Sequence, residues 1–368
     1  MTRRSMDGHH SLAWLVAAAL VVGCGDDGSA GTEGSSDTDA STSGASEGSS
    51  GSTSTAAESE GSTGGTDGTT TGGQTFPNPD DAPSYDGDAF VGMQIYDVRA
   101  DLWLDEEALM EGLDPVRLVF VGEQHETPPI HELQRWVLER EILRHGDVAL
   151  GMEHFQADAQ SVIDQYLADE IDESTFLSMS DPWTGYSKYW RQLVETMKIV
   201  DGPVIALNIP DEALDSIYAS FPQAPIDVFN GWGPAFPYDA YIPPRPLAPW
   251  DAVYQGYFEG SFDYGSHNLG LSYDDALNYF TDLALIRDDT MGYHVARHLE
   301  ETSDRVVMVG GDWHVQTGLA TPDSVKKFTD AGESKLITTA TPADFDVLRA
   351  TMVADRPIAD YILVYDPV

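Results

Sequence analysis

Four short segments of this chain carry the residue types that chemistry needs, and each follows a run of apolar residues. They are Gly122-Glu123-Gln124-His125, Gly151-Met152-Glu153-His154-Phe155, Asn208-Ile209-Pro210 and Gly310-Gly311-Asp312-Trp313-His314. Imidazole and carboxylate are ordinary ligands of first-row metals and ordinary groups of acid–base catalysis. Glycine ahead of them permits a tight exit from a strand and close approach of a ligand. A single Gly-x-x-His arises often by chance, and a histidine at a strand end commonly just hydrogen-bonds a loop carbonyl. Two of them, with Glu153 at a third strand end, point to a site. Asp288 adds a carboxylate on the apolar face of a helix, in line with Ala284, Met291 and Val295. It needs a partner there, either an ion pair inside the fold or a ligand. The stripe Tyr186, Tyr189, Trp190 reads first as core and second as a platform for a flat cofactor. His131-Glu132 does not open a zinc-protease motif, because Arg135 stands where the second histidine is required. No P-loop or G-x-G-x-x-G is present, and residues 86–368 hold no G-x-S-x-G.

The elements that must position these residues follow from periodicity. Short apolar runs at 94–98, 117–121, 148–152, 204–207, 305–309, 335–339 and 361–364 alternate with helical patterns. That alternation predicts an α/β fold, a mostly parallel central sheet flanked by helices. In such sheets ligands bind beyond the carboxyl ends of the strands, where the four segments fall. Helices are expected from about Pro129 to Gly146, from Tyr186 to Ile199, and from a capping box at Ser272 to about Glu301. The stretch Phe221–Leu271, rich in Pro, Gly and aromatics, reads as a helical or loop excursion over the sheet, a lid or a docking surface.

Charge narrows the partners. The chain holds 19 Lys and Arg against 62 Asp and Glu, a formal net charge of −43. Residues 86–368 keep 17 basic against 50 acidic residues, or −33, so the folded part is itself acidic. Such a field argues against nucleic acid and anionic lipid surfaces as partners. At the N-terminus, Arg3 and Arg4 precede an apolar run too short to span a bilayer, and Val21-Val22-Gly23-Cys24 follows. This predicts a lipoprotein signal peptide over 1–24, with Cys24, the chain's one cysteine, acylated. Residues 25–85, Gly, Ser, Thr and scattered acids, predict a disordered linker. The folded domain is then expected over 86–368.

The ordered set of motifs resembles the ChaN-like haem-binding lipoprotein family of the haem-binding uptake, Tiki superfamily. It runs from Phe120-Val121-Gly122-Glu123-Gln124-His125 through Gly151-Met152-Glu153 and the helix Val162–Leu167. It continues through Trp183, Tyr189, Val204–Pro210 and Arg287–Met291 to Gly310–Val315, Gly318 and Pro322. The resemblance implies haem binding and a part in iron uptake, and it agrees with the lipoprotein signal. Related branches use the same elements in metal-dependent or acid–base hydrolysis. Carried over, the site residues are Glu123, His125, Glu153 and His314, with Asn208, Tyr189 and Asp288 as further ligand-binding candidates. The axial haem ligand stays open; Tyr186 and Tyr189 are candidates by chemistry. Asp312-Trp313 departs from the Asn or Ser-Phe that the family often has, making the rim more acidic and bulkier. The alternative is a metal-dependent hydrolase, with a divalent ion on His125, Glu153 and His314 and Glu123 as base. Expected partners are haem or a small ligand, the membrane through Cys24, and a second copy of the chain. The expected location is the cell envelope, at the outer membrane or cell surface.

Overall fold

The computed structural model describes residues 72–368. The signal segment, Cys24 and the expected linker up to residue 71 lie outside these described residues. The strands in chain order are β1 (Thr75–Phe76), β2 (Phe90–Asp97), β3 (Leu102–Leu104), β4 (Leu118–Glu123), β5 (Val148–Gln156) and β6 (Val204–Asn208). They continue as β7 (Arg305–Gly311), β8 (Ser334–Ala340), β9 (Met352–Val353), β10 (Arg356–Pro357) and β11 (Tyr361–Pro367). One sheet takes nine of them in the order β1-β3-β2-β11-β8-β4-β7-β5-β6. The six strands from β11 to β6 are parallel, and β2, β3 and β1 close one side antiparallel. Every residue of β4, β5, β6 and β7 is buried, as strands covered on both faces must be.

Strand alternation sorts their side chains into two cores. Val119, Val121, Val148, Leu150, Met152, Val307 and Val309 enter one core with the helix Pro128–His145 and its neighbours. Leu118, Phe120, Ala149, Val306 and Met308 enter the other, against Met291, Val295 and Leu299 of the helix Tyr273–Glu301. Each such aliphatic side chain contributes about 1.5–3 kcal/mol when fully buried. The helix Tyr273–Glu301 starts where its capping sequence predicts, with Ser272 Oγ accepting from Asp275 N at 3.2 Å, a contact worth about 1 kcal/mol. Among the described residues thirteen α-helices flank the sheet, and none is long and apolar enough to cross a membrane.

The structure amends two expectations and details a third. Residues 72–85 belong to the fold, not to the linker: β1 pairs with β3, and Tyr85 bridges Met93. The apolar Phe76 packs against the second core there, which a composition of small polar residues concealed. The helix expected over 186–199 is two helices, Tyr186–Tyr189 and Arg191–Ile199, parted at Trp190, where φ stretches to −109°. That break turns the indole toward the strand ends. The excursion forms helices Pro225–Gly231 and Ala252–Glu259, and packs Val228, Phe229, Ile242 and Leu247 on Tyr279, Leu283 and Ile286.

Candidate functional site

Glu123 shares the face of Val119 and Val121, and His154 shares that of Leu150 and Met152, so both point to the Pro128–His145 side. There Glu123, 2% exposed, is a hub. Its Oε1 accepts from His125 Nδ1 at 2.6 Å and from His154 Nε2 at 2.9 Å. Its Oε2 accepts from Gln134 Nε2 at 2.8 Å, and Trp190 Nε1 lies 3.1 Å from each oxygen. His131 stands 3.4 Å away. Burial alone would raise the pKa of Glu123, but the charge on His154 and hydrogen bonds from His125, His131 and His154 hold it well below the usual range. His154 is stacked on Trp190 at 4.1 Å.

Glu153, one residue before His154, points to the opposite face. Its Oε2 accepts from Gly311 N at 2.7 Å, and its Oε1 accepts from Arg287 Nη2 at 3.1 Å and faces His314 Nε2 at 3.3 Å. His314 Nδ1 is 2.8 Å from Asp288 Oδ1, which also accepts from Thr321 Oγ1 at 2.6 Å. Asp288 Oδ2 accepts from Tyr254 of the excursion, also at 2.6 Å. Burial opposes ionisation of Glu153, but His314 and Arg287 outweigh it and bring its pKa to about 2.

The two clusters meet across Gly310-Gly311. A Cβ on Gly310 would lie 2.9 Å from Glu153 Oε2, and one on Gly311 3.1 Å from His125 Nε2. These glycines are what lets both residues close over β7. The rim is formed by His125, whose side chain is 13% exposed, with Trp183 at 5.2 Å and Arg287 at 5.9 Å from the same indole. Among the described residues His125 Nε2 has no hydrogen-bond partner, while Nδ1 is tied to Glu123. Burial disfavours charge on His125, yet the hydrogen bond to Glu123 and its charge prevail and raise the pKa.

Glu123, His125, Glu153 and His314 are therefore brought to one end of the sheet, with Asn208 3.4 Å from Arg287 Nε. Several individual roles differ from expectation. Tyr189 is buried in the first core against His131, with its hydroxyl accepting from Lys188, and does not line the rim. Asp288 lies wholly buried behind His314 and is its partner, not a ligand contact. Glu123 cannot serve as a base toward a substrate, since it is buried and both its oxygens are engaged.

Among the described residues, the three side chains whose ligand atoms lie within 4.8 Å of one another are Glu123, His125 and His154, not His125, Glu153 and His314. In that triad His125 Nδ1 and His154 Nε2 both donate to Glu123 Oε1, so its ligand atoms are joined by hydrogen bonds. The candidate set left out His131, His154, Gln134, Trp190, Arg287 and Tyr254. A signal existed for three of these: Gly151-Met152-Glu153-His154 is itself a third Gly-x-x-His, and His131 and Gln134 share the inner face of their helix with Leu138.

An α/β domain with buried His–carboxylate pairs at the ends of its parallel strands defines a ligand-binding or acid–base class. The chain belongs to the haem-binding uptake, Tiki superfamily, ChaN family, whose model matches residues 109–325. No curated protein matches it. A solved structure of ChaN of Campylobacter jejuni, titled for cofacial haem binding, is similar at 15% identity and a TM-score of 0.55. The match covers 77% of this chain and 100% of that one, and supports the fold. An erythromycin esterase mutant in its open conformation is similar at 13% identity and a TM-score of 0.39, covering 72% of this chain and 80% of that one.

Proposed function

We propose that the domain binds haem at this rim, with His125 Nε2 as the iron ligand. The observation that carries the reading is the state of that one ring. Nδ1 is held by the buried carboxylate of Glu123 at 2.6 Å, which orients Nε2 and raises its basicity toward a metal. Trp183 beside it offers a flat apolar contact. Haem itself would supply the iron; the chain's residues hold, orient and shield it. Titration of the full chain with haemin should give a saturating Soret shift, weakened at least about tenfold in His125→Ala. An unchanged titration in that variant removes His125 from the role.

A second reading, acid–base hydrolysis, is favoured by the Asp288–His314–Glu153 array, which iron ligation at His125 leaves unused. It requires turnover that disappears in His314→Ala while haemin binding persists. Upstream, the lipobox supports a surface-anchored lipoprotein with a role in iron uptake. Cys24→Ser should abolish fatty-acid labelling of the protein; persistent labelling would discard the anchor.

A further inference from the structure

Resting on the haem reading, we propose that Arg287 is the anion anchor of the site and selects ligands bearing a carboxylate at their edge, in haem a propionate.

Residues 72–368 hold 17 basic against 52 acidic residues, a formal charge of −35, and Glu123, Glu153 and Asp288 are all buried at this end of the sheet. A ligand bringing carboxylates of its own is repelled by that field unless a cation meets it. Arg287 is at the rim to do so, with a side chain 22% exposed, whereas Glu153 behind it is 1% exposed. The guanidinium is held in position from the buried side. Nη2 donates to Glu153 Oε1 at 3.1 Å and Nε to Asn208 Oδ1 at 3.4 Å, and Trp183 lies alongside at 5.9 Å. A planar fork fixed in this way loses little rotamer freedom when it meets a carboxylate. His125 and Arg287 border the same indole, so a flat ligand resting on Trp183 brings its metal to one and its acidic edge toward the other. A purely structural Arg287, present only to neutralise Glu153, would be indifferent to the ligand's carboxylates.

The test compares haemin with haemin dimethyl ester on the full chain in one detergent solution. The unaltered protein should bind haemin about tenfold tighter than the ester. Arg287→Lys should keep part of that gap and Arg287→Gln should close it. Because loss of Arg287 strips Glu153 of its cation and can destabilise the fold, the decisive comparison uses the unaltered protein. Equal binding of haemin and ester overturns the anchor and leaves the haem reading standing. Binding of neither compound overturns both.

Discussion

On the Pro128–His145 side of the sheet, donors from four elements converge on one carboxylate; on the Tyr273–Glu301 side, acids and bases alternate in a line. The Glu123 hub gathers His125, His154, Gln134 and Trp190. The other cluster runs Tyr254, Asp288, His314, Glu153, Arg287, from the excursion to the rim. Their neighbours along the chain, Glu153 and His154, are consecutive, and only the alternation of β5 sends one to each side. A converging hub is rigid about a single charge and orients one ring, His125. A linear array shares its charges, and removing one end disturbs the rest by steps. Burial is common to both, so donors decide what ionises. Glu123 and Glu153, each with cationic or N–H partners, are held below the usual range. Asp312 lies beside Gly122 with Thr338 and Gln316 as its partners, and burial raises its pKa to about 6.

The sharpest way to break the contrast is Glu123→Gln. An amide would turn donors toward His125, His154 and Trp190, and global stability should fall by about 3–5 kcal/mol in chemical denaturation. A loss under ~1 kcal/mol would mean that the hub is not a single charged centre. Tyr254→Phe cuts the array at its far end, where one hydroxyl donates to Asp288. The expected loss is about 2 kcal/mol, with the fold otherwise intact. A loss matching that of Glu123→Gln would show that the array is as concentrated as the hub.

Asp312→Asn acts in the opposite direction, stabilising the fold by an amount that depends on pH. The folded pKa of about 6 lies above the ordinary 3.8, so the neutral form is favoured by folding. That stability is complete below about pH 4 and is lost as pH rises through 6. Thermal unfolding should show the variant more stable than the unaltered protein by at most about 3 kcal/mol at pH 8 and nearly equal to it near pH 4. A benefit independent of pH would show that packing, not ionisation, is responsible.

The strand runs were legible because strands buried on both faces must be continuously apolar, as Leu118–Val121 and Val306–Val309 are. For the same reason Glu123, Glu153 and His314 could be read as strand-end groups. Residues 75–76 and 102–104 were not legible, because strands of two or three residues have no period to detect. Tyr189 follows the first reading of its stripe, as core, and not the second, as a ligand contact, because a helical stripe says which residues share a face, not which surface that face meets.

The order of apolar runs, the glycines beside the histidines and the acidic balance are local or additive properties, and the chain determined them alone. A sheet of parallel strands with its chemistry at one end follows from them. Which histidine of a neighbouring strand joins Glu123, which backbone amide seals Glu153 and which carboxylate stands beside Arg287 are pairings between residues 31 to 158 positions apart. No spacing along the chain encodes such a pairing. Packing of the two helical layers on a twisted sheet decided it, because only there do these side chains share a volume closed to water.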